Sequence, residues 1–278
     1  MSVLRTSVSD NLACVGDDSA YLLVGHGTRN KVGQQQFLTV YQQFAQLTAP
    51  TATACAFLEL AEPTIAQAVE QLAAQGVRRF VTVPLLLFAA GHALQDIPDA
   101  VTEAAGRYNM QAVGQTAPLE LNPAIVELSA LRFREATCQA GSVPACQERC
   151  EGKQCARTAL AMIGRGSRST VAAERMRQFS DLRRQITPVA ELLTGFVTAQ
   201  SPGVDEVLSL LARSNCQTIV VQPHLLFEGE IIEQLRRQVE AVKKESPTQR
   251  WVVAQALGTD FALAQTLVRL VQEPLRCI

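Results

Sequence analysis

The chain writes one motif twice. "LLVGHGTRN", Leu22 to Asn30, returns as "AMIGRGSRS", Ala161 to Ser169, with Gly25/Gly164, Gly27/Gly166, Thr28/Ser167 and Arg29/Arg168 in step. The register holds far beyond this turn. His26 matches Arg165, Phe57 matches Phe196, Pro63 matches Pro202 and Pro84 matches Pro223, each pair 139 residues apart. Leu86, Leu87 and Phe88 fall in the same way on Leu225, Leu226 and Phe227. A repeat of this length restricts the fold to two copies of one arrangement.

Each copy alternates short apolar runs with helical periodicity. "AYLLVG" reads as a buried strand and "KVGQQQFLTVYQQFAQL" as a helix, with Phe37, Tyr41 and Phe44 on one face. "TACAFLEL" is a second strand. "EPTIAQAVEQLAAQG" is a second helix, with Pro63 suited to its first turn and Gly76 to its C-terminal cap. A third strand "RRFVTVPLLLF", a helix from about His92, a strand "MQAVGQTAP" and a helix "PAIVELSALRF" complete the copy, and "TIVVQPHLLF", "RWVVAQAL" and "DFALAQTLVRLVQ" repeat the order. Continuously apolar strands separated by helices imply an α/β fold of two tandem units, each a parallel sheet flanked by helices on both faces. The boundaries expected from the repeat are a disordered tail over 1–19, an N-terminal domain over 20–136 with the active site, a Cys-rich linker over 137–157 and a degenerate C-terminal domain over 158–278.

With 278 residues, 47% of them hydrophobic, either copy can bury a core of its own. The formal net charge of -1 supplies no global basic field, so neither nucleic acid nor a membrane surface is an expected partner. The longest apolar runs, such as "FVTVPLLLFAA", are too short to span a bilayer, and "MSVLRTSVSDNLACVGDDSA" lacks a signal-type apolar segment. A cytoplasmic protein with reduced cysteines is expected, as a monomer, since fused copies can stand in for two subunits, or as a homodimer.

Three histidines are present, and two of them follow strands of the first copy. His26 lies after the first strand and His92 after the third, each beside glycine. Loops at the carboxyl ends of parallel strands carry ligands, so both histidines are expected on one sheet edge, with Glu59 and Glu62 of "FLELAEP". Two imidazoles and a carboxylate can hold a divalent metal or move protons near neutral pH. Plainer roles exist for each: a turn histidine, a solvated Glu59, and a Glu62 that complements a helix dipole. His224 occupies the Leu85 position of the repeat and reads as a structural histidine. "GHGTRN" lacks the third glycine of a dinucleotide fingerprint, and no Walker A lysine follows. The position before His26 is Gly25, where a phosphohistidine enzyme would carry arginine.

Taken in order, "LLVGHGTRN", "FLELAEPTIAQAVEQLAAQGVRRFVTVPLLLFAAGHALQDIP" and "IGRGSRS" resemble the class II tetrapyrrole chelatases of the CbiX/SirB type, in their long two-repeat form. The resemblance covers nearly all the chain after residue 20. It implies insertion of Co²⁺ or Fe²⁺, with Ni²⁺ a further candidate, into sirohydrochlorin during cobalamin or sirohaem synthesis. It also implies that His26 and His92 are catalytic and bind the metal. Glu62 and the run Leu87, Phe88, Ala89, Ala90 and Gly91 match positions that line the tetrapyrrole site, and Glu59 is a further candidate there. Arg165 and Ile231 replace the two histidines in the second copy, so that copy cannot form the same metal site. The substrate carries many carboxylates, for which Arg165, Arg29 and Arg168 are candidate anchors. A non-catalytic metal or tetrapyrrole carrier is the alternative reading, and a redox regulator built on cysteines a third.

Four of the eight cysteines crowd into "CQAGSVPACQERCEGKQC": Cys138, Cys146, Cys150 and Cys155. Their spacing is not that of paired CxxC knuckles. Zinc, an iron–sulfur cluster and a simple thiol-bearing linker all remain open for them. The cluster motif of some long family members, Met-x-Cys-x-x-Cys near the C-terminus, is absent. Cys14, Cys55 and Cys216 read as tail, core and element-end residues.

Overall fold

The structure, a computed structural model, describes residues 18–89, 91–137 and 157–276; the side chains of residues 91–94 are not among what it describes. In the first half, β1 (Ser19–Gly25) is buried along its whole length and pairs in parallel with β2 (Ala52–Phe57) on one side and β3 (Arg79–Leu85) on the other. β4 (Gln111–Gln115) closes the sheet outside β3, giving the order β2-β1-β3-β4. The second half repeats this with β5 (Thr158–Gly164), β6 (Glu191–Phe196), β7 (Thr218–Pro223) and β8 (Arg250–Val253) in the order β6-β5-β7-β8. Both sheets are all-parallel, as their apolar, two-face-buried strands require. The Glu62–Pro63 and Ser201–Pro202 bonds are cis in both copies.

Helices cover both faces of each sheet. In the first half, α2 (Ile65–Ala74) and α3 (Gly91–Arg107) bury Ile65, Val69, Leu72, Ile97 and Val101 against Ala20, Leu22 and Val24. α1 (Lys31–Thr48) takes the opposite face, where Phe44 meets the Tyr21 ring edge-on at 5.8 Å. α2 begins later than its proline suggests. Thr64 is the N-cap, and its hydroxyl and the Gln67 side chain form a reciprocal capping box, so Pro63 precedes the helix. In the second half, α6 (Val204–Ala212) and α7 (Glu230–Glu245) form one layer, with Val207, Leu208, Leu211, Leu235 and Val239 in the core. α5 (Thr170–Ile186) lies on the other face.

The last helix of each copy does not stay with its own copy. α4 (Pro123–Thr137) follows β4 in sequence but packs on α5 and β7, while α8 (Phe261–Leu270) follows β8 but packs on α1. One compact unit is therefore the described residues up to Glu120 together with those from Thr259, and the other lies between Leu121 and Gly258. The boundaries at 20–136 and 158–278 follow the repeat, whereas the packing moves one helix in each direction. The chain passes between units at 120/121 and 258/259. Both flanks of the Cys-rich segment, α4 and β5, belong to the second unit, and residues 138–156 lie outside the described residues. Arg276 also belongs to the first unit: it and Gln115 exchange backbone hydrogen bonds of 2.8 and 2.9 Å at the β4 edge, an isolated antiparallel bridge.

The copies differ by one inserted residue. Pairing of β3 with β4 slips between Phe80 and Val81, so that Val113 is extra, and β7 with β8 has no such slip. After β4 the structural equivalence is therefore 138 residues, not 139: the N–H of Leu119 reaches Leu86 O as that of Leu257 reaches Leu225 O.

Candidate functional site

The strand order places a topological switch point between β1 and β3. The connection from β1 leads to β2 and the one from β3 to β4, the arrangement at whose carboxyl ends open α/β sheets bind ligands. His26 directly follows β1. α3 starts at Gly91, so His92 sits in its first turn, just beyond β3.

The turn after β1 is fixed by its backbone. Leu58 N–H donates to Gly25 O at 2.9 Å and Glu59 N–H to His26 O at 3.1 Å, which ties the turn after β1 to the turn after β2. Gly27 has φ +100, and a Cβ there would stand 1.7 Å from Glu59 O. Only glycine fits that approach. Asn30 then caps α1 by accepting from Gly33 N–H at 3.0 Å.

This tie brings Glu59 beside His26. Glu59 Oε1 lies 3.2 Å from His26 Nε2, and both side chains keep solvent access, 30% for His26 and 53% for Glu59. An imidazole and a carboxylate so placed can share a proton or jointly ligate a cation. Of the two glutamates singled out in the sequence, Glu59 makes this contact. Glu62 is exposed on the same loop before Pro63. Among the described side chains, no group of three His, Cys, Asp or Glu gathers into a metal site. The His92 side chain, Ala90 and the side-chain surroundings of Gly91 lie outside the described residues, as do Cys138, Cys146, Cys150 and Cys155.

Leu87, Phe88 and Ala89 form the half-buried β3–α3 loop. Glu120, which the sequence reading passed over, holds it. Glu120 N–H donates to Leu87 O at 2.7 Å, and Glu120 Oε1 accepts from Ala89 N–H at 3.1 Å.

The second unit rebuilds the turn without the chemistry. Val197 N–H reaches Gly164 O at 3.0 Å and Thr198 N–H reaches Arg165 O at 3.1 Å; Gly166 has φ +80, with Thr198 O only 1.9 Å from where a Cβ would stand. Exposed Arg165 replaces His26, Thr198 replaces Glu59 and Ile231 replaces His92. Arg29 and Arg168 are exposed on the two turns. His224 is buried with its ring 3.9 Å from that of Phe179. Burial, reinforced by the Arg183 cation, pushes its imidazole down to about 3. Arg183 is itself fully buried and is lowered to about 10, chiefly by burial and then by Arg134, against an opposing pull from Glu127. Its guanidinium donates to Ser129 Oγ at 3.0 Å and to the Thr187 hydroxyl, and Gln222 Nε2 donates to Ser129 O at 2.7 Å. This network fills positions that are apolar in the first unit, such as Leu85 for His224 and Val83 for Gln222.

Duplicated parallel sheets, with an imidazole–carboxylate pair at the switch point of one of them, define a tandem α/β protein. The CbiX family model matches the chain twice, over residues 20–136 and 159–274, and the chain belongs to that family. It is 30% identical over 228 residues to the sirohydrochlorin ferrochelatase of Bacillus subtilis (strain 168), covering 82% of each chain. Two solved structures of SirB from Bacillus subtilis are similar over 92% of this chain and 94% of theirs. One, with Fe³⁺, has a TM-score of 0.77 at 27% identity, and the other, with cobalt, 0.70 at 28%.

Proposed function

We propose that the chain is a sirohydrochlorin chelatase, which inserts cobalt or iron into the tetrapyrrole at the edge of the first unit's sheet. The observation that carries this is the His26–Glu59 pair at 3.2 Å, held on the Gly27 turn in a chain of the CbiX family. Insertion exchanges two pyrrole N–H protons for one divalent ion. Borderline imidazole nitrogen and hard carboxylate oxygen together suit Co²⁺, Fe²⁺ and Ni²⁺. Binding such a substrate ion at His26 and Glu59 displaces any proton on these donors and strips part of the ion's water shell. As the ion passes to the ring nitrogens, the freed imidazole and carboxylate can take up the two pyrrole protons and pass them to water, because an imidazole's ordinary pKa lies near neutrality.

His92, in the first turn of α3 at the neighbouring strand end, is proposed as the second metal-binding histidine, with Leu87, Phe88, Ala89, Ala90 and Gly91 lining the tetrapyrrole. The second unit keeps the turn but neither donor, and its exposed Arg165 offers a guanidinium to carboxylates. The four clustered cysteines enter no step of this reading. No helix among the described residues is long and apolar enough to cross a membrane.

The test is an insertion assay with Co²⁺, Fe²⁺ and Ni²⁺ on sirohydrochlorin, followed by ultraviolet–visible spectra. Catalysed appearance of the metallated spectrum with the wild type, lost in His26→Ala, supports the reading. Binding of either substrate without any catalysed spectral change makes the protein a carrier instead.

A further inference from the structure

We infer that Glu120 is a positioning residue of this site, a clamp on the loop that leads into the His92 helix; this rests on the chelatase reading above. Glu120 has φ +47, in the left-handed region where a residue with a Cβ is strained. Its counterpart in the second unit is Gly258, with φ +74. The match is secured by the backbone. Gly258 N–H reaches Leu226 O at 2.8 Å just as Glu120 N–H reaches Leu87 O at 2.7 Å. The same turn therefore has an unstrained solution in glycine, and the second copy uses it.

The first copy departs from that solution, and what it gains is a carboxylate. Glu120 Oε1 accepts the Ala89 N–H at 3.1 Å. Glu120 thus grips the loop at two points, Leu87 O and Ala89 N, and α3 begins two residues later at Gly91. Gly258 offers no such acceptor. At the Ala89 position of the second copy stands Glu228, whose carboxylate takes Arg236 at 3.0 Å. Strain is kept in the one copy that retains both histidines, next to the loop that delivers the second of them. That is where stored backbone strain is expected to serve a site. Through these two bonds Glu120 acts by fixing where α3 starts.

Two variants separate a clamp from a merely structural residue. Glu120→Gly copies the second unit: it keeps the backbone bond to Leu87, releases the strain and removes the acceptor. Glu120→Gln keeps the acceptor oxygen and removes the charge. Without substrate or metal, hydrogen exchange of the amides from Leu87 to Leu94 should quicken in Glu120→Gly and stay as wild type in Glu120→Gln. In the Co²⁺ insertion assay, Glu120→Gly should lose about tenfold or more in kcat, as small misplacements of catalytic groups do. Its thermal midpoint should not fall, and Glu120→Gln should restore the rate. Wild-type kcat and exchange in Glu120→Gly would overturn the clamp, and so would a Glu120→Gln as slow as Glu120→Gly. A wild type that inserts no metal would overturn the chelatase reading instead, and the exchange comparison would then decide the clamp by itself.

Discussion

His26 Nε2 stands 3.2 Å from Glu59 Oε1 where the backbone hydrogen bond from Glu59 N–H to His26 O ties together the turns that follow β1 and β2. Glu62, three residues on, is exposed and is not part of this contact. In an insertion assay, His26→Ala should lose at least about a hundredfold in rate, the scale of a lost general base. Glu59→Gln should weaken apparent metal affinity about tenfold or more, as loss of a carboxylate partner to a liganding histidine does. Glu62→Gln should leave both quantities unchanged. A larger effect at Glu62 than at Glu59 would count against the pair as the metal-handling centre.

The glycines of the two turns should be equally intolerant although only one turn carries a histidine. Gly27→Ala and Gly166→Ala each add a Cβ less than 2 Å from a carbonyl oxygen, at 1.7 and 1.9 Å, on a backbone of positive φ. Both should destabilise by more than about 2 kcal/mol. Gly76→Ala has φ +84 but open space, and should cost only the left-handed penalty of about 1 kcal/mol. Urea denaturation midpoints measure this. Equal costs at all three positions would mean that the close carbonyl contact adds nothing.

Removing residues 259–278 should unfold the first unit and spare the second. α8 buries Leu263, Ala264, Thr266, Leu267 and Leu270, and Arg276 seals the β4 edge. Each fully buried leucine is worth about 1.5–3 kcal/mol, so their joint loss rivals the stability of a whole domain. The chain's one tryptophan, Trp251, is buried in the second unit and serves as its reporter. Its emission should stay native-like while far-ultraviolet circular dichroism loses far more helix than the ten residues of α8. A helix loss limited to α8 would show that the first unit stands without it.

His224 should make the second unit acid-sensitive. Its folded imidazole is held down to about 3 from the ordinary 6.5, so the folded state keeps it neutral where the unfolded chain takes up a proton. Its contribution is complete above about pH 6.5 and is lost as pH falls towards 3. His224→Leu, copying Leu85 of the first copy, should flatten this acid limb of Trp251-monitored unfolding. Parallel acid limbs for wild type and variant would assign the sensitivity to other groups.

Much of this was legible in the chain. The 139-residue repeat gave the two copies, apolar strands of period unlike that of the helices gave two parallel sheets, and the glycines beside His26 marked the turn after β1. Glu120 was not legible, because the extra Val113 shifts the repeat by one residue and aligns Glu120 with Thr259 instead of Gly258. That Glu59 and not Glu62 meets His26 was not legible either, since it depends on how the turns after β1 and β2 are tied together.

What the sequence alone determined is therefore local and periodic: element types, their order, the turns that demand glycine, and the copy that keeps the histidines. Tertiary structure decided which side chains meet and which helix completes which unit. α4 and α8 carry apolar faces that fit the same place in either copy, and pattern cannot tell one equivalent groove from another. Only the packing of Ser129 against Arg183 and Gln222, and of α8 against α1, selects between them. Contacts between residues distant in sequence are specific where repeated patterns are degenerate.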